Sequence, residues 1–382
     1  MIVTLTGTGT SHGIPVIGCE CPVCRSSDPH DTRFRCSAYI QAGDTALVID
    51  TGPEFRMQAL KYNIKHLDAV LITHSHADHL NGLDDLRIFS HTASPGKDNR
   101  TEHILPVYAN GATLRDIQTR FSYVFAKTQQ GGGKPLLNLF NADEYTKENP
   151  VVVRNLRGAP KTPARDMPAA ACDKSDTSAP AAAVTTAAKI AAKPGECDMP
   201  ATTREASRAN SPELLCFPLP MKHGALDVIG WNIRERAQTP DERGASITPT
   251  PSDNSVASAT ATYKSAADKA DKAAAQTQSA QKSFTYLTDC SEVPDETVQL
   301  IQGTEHLVID GLRESPHPTH FSFLEALECA AQIHPKHVWL THICHNSSHK
   351  QINEWLAINK KQFPELADIP VHAAYDGLTL TI

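Results

Sequence analysis

The stretch LITHSHADHLNG, residues 71–82, holds three histidines and an aspartate within six positions, directly behind the apolar run AVLIT. Imidazole and carboxylate groups are ligands that Zn²⁺, Mn²⁺ and Fe²⁺ take in proteins. His74 and His76 lie two residues apart, so an extended backbone directs both side chains to one side. If a helix follows, Asp78 and His79 face a second, adjacent position. The spacing therefore predicts two neighbouring metal half-sites, each short of ligands, with a solvated surface cluster as the alternative.

Polar residues that follow other apolar runs are candidates for the missing ligands. Asp289 follows FTYLT, His342 follows HVWLT, and His223 stands in the turn PMKHG. Residues in such places lie at the carboxyl edge of a sheet, where ligands of α/β proteins bind. One histidine after a strand is more often structural, but together with the cluster these three complete two sites. Two such sites need a bridging carboxylate, for which Asp289 is the natural candidate.

A further metal site is indicated by three cysteines in the motif GCECPVC: Cys19, Cys21 and Cys24. Three thiolates at this spacing supply three of the four ligands of a structural zinc site. His345, three residues after His342, is the candidate fourth ligand, and His349 is the alternative. The chain has ten cysteines, which would also suit a disulfide framework. That interpretation is disfavoured because no export signal is visible and cytoplasmic thiols remain reduced.

Composition predicts a globular protein of the cytoplasm. The chain has 382 residues, 40% hydrophobic and 21% charged, which is enough for a substantial core or two domains. No apolar run approaches the roughly 18 residues of a membrane span, and the N-terminus MIVTLTGTGTSHG lacks the pattern of a secretory signal. The net charge of −7 gives no bulk attraction to nucleic acid. We therefore expect neither a membrane nor a nucleic acid as partner.

Two stretches, residues 159–211 and 238–281, differ from the rest in composition. The first is rich in Ala, Pro and Thr, and the second in Ala, Ser, Thr and Lys. Neither can bury enough apolar surface to offset the entropy of ordering it. We interpret both as flexible insertions in a single domain that spans residues 1–382; a second folded domain is the alternative. No internal repeat is evident.

Outside the insertions, apolar runs and helical patterns alternate as in a layered α/β/α sandwich. Strands are predicted at residues 2–6, 38–41, 46–49, 69–73, 107–109, 214–219, 228–233, 284–288, 307–309, 338–341, 371–375 and 378–382. Helices are predicted at residues 113–125, 321–333 and 351–359, and after Gly52-Pro53 with the proline in the first turn.

These residues together resemble a known family. THSHADH is similar to the HxHxDH signature of the metallo-β-lactamase fold hydrolases, and Asp50 in LVIDTG, His223, Asp289 in YLTDCSE and His342 in LTHICH match its other motifs in order. The resemblance implies an αββα metallo-β-lactamase sandwich with two divalent metals, Mn²⁺ or Zn²⁺, between its sheets. It assigns to the metals His74, His76 and His223 on one side, Asp78, His79 and His342 on the other, and Asp289 as the bridge.

The mechanism that the resemblance implies depends on the two metals. Two divalent ions lower the pKa of a shared water, and the resulting hydroxide attacks a phosphodiester whose charge the ions neutralise. Asp50 would orient ligands through hydrogen bonds. Within the family, the carboxylate of Asp78, with no cysteine nearby at a ligand position, favours phosphoesters over β-lactams.

Three motifs indicate which branch of the metallo-β-lactamase fold hydrolases the chain resembles. GTGTSHGIP, the C-x-C-x-x-C loop and LTHICH resemble the phosphoribosyl 1,2-cyclic phosphate phosphodiesterase family, whose substrate is a small cyclic phosphate. That resemblance adds His320 as a catalytic histidine that donates a proton to the leaving oxygen or stabilises the phosphate. His320 stands just before a predicted helix N-terminus, where free backbone N–H groups and the helix dipole favour the binding of an anion. His317 is its rival, and a homodimer is one assembly that the family allows.

Other functions stay open at this point. Ribonuclease Z shares the core motifs, but it lacks the C-x-C-x-x-C site and needs a basic, glycine-rich arm. A branch like the pyrroloquinoline quinone biosynthesis oxygenase shares the cysteine loop, and a non-catalytic relative would have lost ligands. The stretch GLDDLRIFSHTASPG is either a lid over the cleft, with Asp84, Asp85, Arg87 and His91 as contacts, or a surface helix and loop.

Overall fold

The computed structural model describes residues 1–93, 100–102, 104–126, 133–156, 211–236 and 282–382. Both predicted insertions lie outside the described residues, apart from Ser211 at the end of the first. Sixteen strands are present in this part of the chain: β1 (Ile2–Gly7), β2 (Ser37–Ala42), β3 (Thr45–Ile49), β4 (Ala69–Leu71), β5 (His91–Ala93), β6 (Arg100–Glu102), β7 (Leu105–Ala109), β8 (Leu137–Asn141), β9 (Val151–Val153), β10 (Glu213–His223), β11 (Leu226–Arg236), β12 (Ser283–Leu287), β13 (His306–Asp310), β14 (His337–Thr341), β15 (Val371–Ala373) and β16 (Thr379–Thr381).

Eight α-helices accompany these strands in the described residues: α1 (Phe55–Lys61), α2 (Ala77–Leu80), α3 (Arg87–Ser90), α4 (Gly111–Arg120), α5 (Ser122–Phe125), α6 (Asp295–Leu300), α7 (Phe323–Ile333) and α8 (His349–Asn359). None of them combines the length and the apolar character that crossing a bilayer requires.

The strands form two seven-stranded sheets. The first has the order β16-β1-β2-β3-β4-β7-β8, and the second has the order β15-β14-β13-β12-β11-β10-β9. Strands β3, β4, β7 and β8 run parallel in the first sheet, as do β12 to β15 in the second. The other neighbours are antiparallel, and β5 and β6 form a separate hairpin.

Three apolar layers hold this arrangement together. In β13, Val308 lies in the layer between the sheets, whereas Leu307 and Ile309 lie in the layer beneath α7 and its neighbours. This alternation follows from the two-residue period of a strand. Phe55 and Ile117 bring the helices of the first sheet into the third layer. The result is an αββα sandwich, which confirms the predicted fold class.

All twelve predicted strands are present, and the differences have local causes. The helix predicted over residues 113–125 is wrong as one element, because the backbone leaves the helical region at Phe121 (φ −111°, ψ 37°) and splits it into α4 and α5. Helix α1 begins at Phe55, so Pro53 precedes it instead of occupying its first turn. The short strands β8 and β9 and the helix α6 were not predicted.

The parallel strands end at one edge of the sandwich, and three of them end in an unusual conformation. Asp50, Asp289 and His342, which follow β3, β12 and β14, have φ values of 61°, 55° and 58°. This left-handed region is uncommon for residues other than glycine and costs about 1–3 kcal/mol each. Such residues persist only where the surroundings fix them, and clusters of them mark functional sites.

Candidate metal centre

The first half of the centre contains three histidines. The chain continues extended from β4 to His76, which is the N-cap of α2, while His223 is the last residue of β10. The ring of His74 lies 4.6 Å from the His76 ring and 5.7 Å from the His223 ring, centroid to centroid. His74 and His223 are buried and His76 is exposed, so this half opens to solvent.

The second half combines two carboxylates with two histidines. Nε2 of His79 lies 3.2 Å from Oδ2 of Asp78 and 3.1 Å from Oδ2 of Asp289. Nε2 of His342 lies 3.1 Å from Oδ1 of Asp289 and 3.8 Å from Oδ2 of Asp78. Oδ1 of Asp289 is also 4.0 Å from Nε2 of His74, so this carboxylate lies between the two halves. The predicted ligands are therefore brought together in the predicted groups.

These residues fit divalent metal ions. Ligand atoms about 2.0–2.2 Å from a tetrahedral ion lie about 3.3–3.5 Å from one another, which is close to the spacings of the second half. The Nε2 atoms of His74, His79 and His342 are buried and have no hydrogen-bond partner among the described residues. Buried polar atoms without a partner are costly; one ion would satisfy Nε2 of His74, and a second would satisfy Nε2 of His79 and of His342.

Neighbouring groups orient most of the ligands. Asp50 accepts hydrogen bonds from Thr73 N (2.8 Å), from the Thr73 hydroxyl (2.8 Å) and from His79 Nδ1 (2.7 Å). His223 donates from Nδ1 to Thr319 O (2.6 Å). The bond from His79 to Asp50 and the bond from His223 to Thr319 O fix the tautomers of these two histidines so that Nε2 of each ring points into the centre, as expected of histidines that bind metals.

The electrostatics favour the metal-binding forms of His74 and Asp289 but not that of His79. Burial opposes protonation of His79, but the charges of Asp289, Asp78 and Asp50 outweigh it and hold the pKa of this ring well above its usual value, so a metal ion would have to displace a proton from it. Burial lowers the pKa of His74 well below its usual value, which keeps the imidazole neutral. Burial opposes ionisation of Asp289, but the charges of His342 and His79 outweigh it and hold the pKa of that carboxyl well below its usual range. Neutral imidazole and ionised carboxylate are the states that coordinate a cation.

His320 lies over both halves of the centre. Its ring is 4.5 Å from the His223 ring and 4.5 Å from the His342 ring. Its Nδ1 donates to Oδ2 of Asp310 at 2.7 Å. His317 lies farther out, with its ring 5.2 Å from that of His320. Of the two rival histidines, the structure brings His320 to the centre.

Comparison with known proteins identifies the family. The model of the beta-lactamase superfamily domain matches residues 45–164 and 185–343, which together are more than half of the chain. The chain belongs to this superfamily. It is a metallo-β-lactamase fold hydrolase, and it resembles a diphosphatase of the PhnP family, to whose crystal structure it is 26% identical with a TM-score of 0.59. That match covers 100% of this chain and 97% of the other.

Two further relatives are more distant or only partly covered. The fold is shared with Zn²⁺-bound PqqB from Methylobacterium extorquens, at 14% identity, a TM-score of 0.52 and full coverage of both chains. An octanoyltransferase from Porphyromonas gingivalis is 28% identical over 99% of this chain. The match covers 51% of that protein, so the present chain spans about half the length of this curated relative.

Asp310 is a residue of this hydrolase's site that sequence reasoning missed. Its side chain is fully buried, accepts from Cys290 N (2.9 Å) as well as from His320, and has one oxygen, Oδ1, without a hydrogen-bond partner among the described residues. A signal existed, because the tetrapeptide LVID occurs twice, ending at Asp50 and again at Asp310. In both places the aspartate ends a strand run and orients a histidine of the centre.

The cysteine loop of the hydrolase meets His345. Nδ1 of His345 lies 3.4 Å from the sulfur of Cys19, 3.5 Å from that of Cys21 and 3.4 Å from that of Cys24. Sulfur and nitrogen ligands of one tetrahedral zinc are about 3.5 Å apart. A hydrogen bond from Cys24 N lowers the pKa of Cys21 to about 6, which favours the thiolate. His349 contacts Arg33 instead (3.2 Å), so the structure places His345 and not His349 with the cysteines.

The stretch after the HxHxDH motif forms a 3-10 turn (Leu83–Leu86) followed by α3. Asp84 pairs with Arg87 and accepts from the Tyr123 hydroxyl, and Arg87 is exposed. Asp85 is half-buried in the same turn. The side chain of His91 lies outside the described residues. These contacts are those of a surface turn, and none of them reaches the metal centre.

Proposed function

We propose that this hydrolase is a dinuclear metal-dependent phosphodiesterase whose substrate is a small cyclic phosphate such as phosphoribosyl 1,2-cyclic phosphate. The observation that carries the proposal is the Asp289 carboxylate between two sets of ligands, with the His320 ring above both. The resemblance to the PhnP-family diphosphatase, at 26% identity, supports the phosphate chemistry.

The proposed ligand sets are His74, His76 and His223 for one ion, Asp78, His79 and His342 for the other, and Asp289 for both. Histidine and carboxylate ligands suit Mn²⁺ or Zn²⁺. When bound, two such ions supply Lewis-acid charge and a water of lowered pKa. In the same proposal Cys19, Cys21, Cys24 and His345 hold a structural zinc.

The role of His320 follows from its contacts. Asp310 accepts from Nδ1, which turns Nε2 of His320 toward the centre. Burial lowers the pKa of His320 and raises that of Asp310, so the proposed role requires that the negative charge of a bound diester favour a second proton, at Nε2. A proton held at Nε2 is placed to reach the leaving oxygen of a diester bound at the ions. Asp310 is thus a positioning residue, and His320 is the proposed general acid.

The surroundings of the site favour a small substrate. A cavity of about 460 Å³ is lined by Glu314 and Ser315 from the loop that carries His320, and by Asn346 and Ser347 from the loop that follows His342. This volume is typical of small-molecule sites. None of the four lining residues is a proposed metal ligand, so the cavity supports the proposal only through the two loops that it shares with the site. Carboxylate, amide and hydroxyl groups suit the hydroxyls of a sugar, whereas a tRNA would need a basic surface. We therefore rank a sugar cyclic phosphate above the tRNA substrate of ribonuclease Z.

Acyl transfer, which the name of the P. gingivalis relative would suggest, has less support. A covalent route needs an activated nucleophile in the site. The described cysteines beside the centre are Cys36 and Cys290, both buried, and burial raises the pKa of Cys36 to about 12 and that of Cys290 well above its usual value. Thiols in this state are poor nucleophiles.

The test is hydrolysis by the Mn²⁺-loaded protein of ribose 1,2-cyclic phosphate 5-phosphate, of 2′,3′-cyclic nucleotides and of a precursor tRNA. We expect a strong preference for the sugar cyclic phosphate. Asp289→Asn should lose this activity, and the matched control Asp368→Asn, at an exposed position, should keep it. Cleavage of tRNA alone would replace the proposal with ribonuclease Z activity, and no hydrolysis of any phosphodiester by metal-loaded protein would refute it.

A further inference from the structure

The proposed structural zinc site and the proposed second catalytic ion share one short loop. His342 belongs to the second half of the centre, and His345, three residues later, lies against the three cysteine sulfurs. The loop between them cannot move at one end without moving at the other.

The backbone between these two histidines is tied down on both sides. Thr10 N donates to Ile343 O (3.1 Å), and Ile343 N donates to Thr8 O (3.0 Å). Cys344 N donates to Leu312 O (3.0 Å). The segment that contains Thr8 and Thr10 continues along the chain into the cysteine loop. One stretch of chain therefore supplies both the hydrogen bonds to Ile343 and the three thiolates.

His342 differs from the other ligands in what orients it. His79 is oriented by Asp50, and His223 by Thr319 O. Neither ring nitrogen of His342 has a hydrogen-bond partner among the described residues, although both are buried. Its ring stacks on that of His320, with 4.5 Å between centroids, and its direction otherwise depends on its own backbone, which is held in the left-handed region at φ 58°. A residue in that region keeps its conformation only where its surroundings fix it.

We infer that zinc bound by Cys19, Cys21, Cys24 and His345 sets the direction of the His342 ring, and through it the affinity of the second half of the centre for its ion. The first half should respond less, because His74 and His76 follow β4 and His223 ends β10, so it is joined to His342 only through Asp289 and His320. The inference rests on the metal ligands proposed above and not on the substrate.

The test is the metal binding of two variants at one position. His345→Ala removes a zinc ligand, whereas His345→Cys converts the site to four cysteines, a set that also binds zinc. Zinc content is measured by mass spectrometry, and the two Kd values for Mn²⁺ by titration calorimetry. We expect His345→Ala to lose zinc and to bind one Mn²⁺ ten- to a hundredfold more weakly, as the loss of an orienting partner does. The other Kd should change much less, and His345→Cys should restore both zinc content and the weakened Mn²⁺ affinity.

Two outcomes would overturn the inference: unchanged affinity for both ions in a folded, zinc-free His345→Ala protein, or equal weakening of both, which would indicate general loosening. His372→Ala, at an exposed position, is the matched control. If His345→Ala does not fold, stripping zinc from the wild-type protein with an organomercurial decides between the same results. No substrate is used, so failure of the phosphodiesterase proposal would leave this test intact.

Discussion

Replacing Asp310 with asparagine should slow the hydrolysis of substrates with poor leaving groups while leaving the metals in place. Asp310 lies 2.7 Å from Nδ1 of His320, and its side chain is completely buried. The asparagine side chain has nearly the same shape but carries no charge. It can still accept a hydrogen bond from Nδ1, but it stabilises a protonated ring much less.

The size of the effect follows from the hydrogen bond that changes. A hydrogen bond to a charged group contributes about 1.5–3 kcal/mol and a neutral one about 0.5–1.5 kcal/mol, a difference of roughly 1–2 kcal/mol. If that difference appears fully in the transition state, kcat falls by about 5- to 30-fold. His320→Ala removes the proposed general acid and should lower kcat by about 10²–10⁴-fold.

The assay compares two leaving groups on the same enzyme. With a sugar cyclic phosphate the leaving alkoxide needs a proton, so both variants should be slow. With bis(p-nitrophenyl) phosphate the leaving group departs as a stable anion, so Asp310→Asn should retain nearly wild-type kcat. An equal loss on both substrates would refute the reasoning, because it would show that Asp310 supports the site in general and not proton transfer.

Three other changes test the centre, the cysteine loop and pH dependence. Asp289→Ala should abolish hydrolysis with an unchanged circular dichroism spectrum; wild-type turnover would contradict the bridging position. Cys21→Ser should lose the structural zinc and lower the free energy of unfolding by more than about 4 kcal/mol in denaturant titrations. A variant that still holds this zinc would contradict the structural site. Burial lowers the pKa of His306 to about 4 from an ordinary value near 6.5. Its contribution to stability is therefore complete above pH 6.5 and is lost, by up to about 3 kcal/mol, as the pH falls toward 4. His306→Gln should flatten that part of the pH–stability curve relative to wild type, and an unchanged slope would contradict it.

Much of the centre could be predicted because its ligands are marked locally. His74 to His79 crowd into six residues, and Asp289 and His342 each follow an apolar strand, so short-range patterns reveal them. The local signal for Asp310 was weaker: the repeated LVID marks it, but its partner His320 lies ten residues away across a loop, and a single aspartate at the end of a strand has many uses. The helix predicted over residues 113–125 is too long because the apolar pattern continues past Phe121, whereas the backbone leaves the helical region there.

His223 shows how distance along the chain misleads. The two predicted insertions lie on either side of His223 in the sequence, so its match to the family motif is the weakest of the proposed ligands. In the structure, the β10–β11 hairpin pairs Glu213 with Arg236 at one end and His223 with Leu226 at the other. The segments next to the insertions therefore begin at the opposite end of the hairpin from the metal ligand.

The β10–β11 hairpin also places potential labelling positions far from the metal centre. Its ten residue steps, at about 3.3 Å each, separate Glu213 from His223 by roughly 33 Å. Glu213 binds Arg154 and Arg236, which tie together the strands leading into both insertions. Ser211 is buried, whereas Lys282 is exposed, so a fluorophore or an affinity tag attached at Lys282 would sit at that far end. It would report on the protein in a cell or on a surface while leaving substrate access and metal exchange undisturbed.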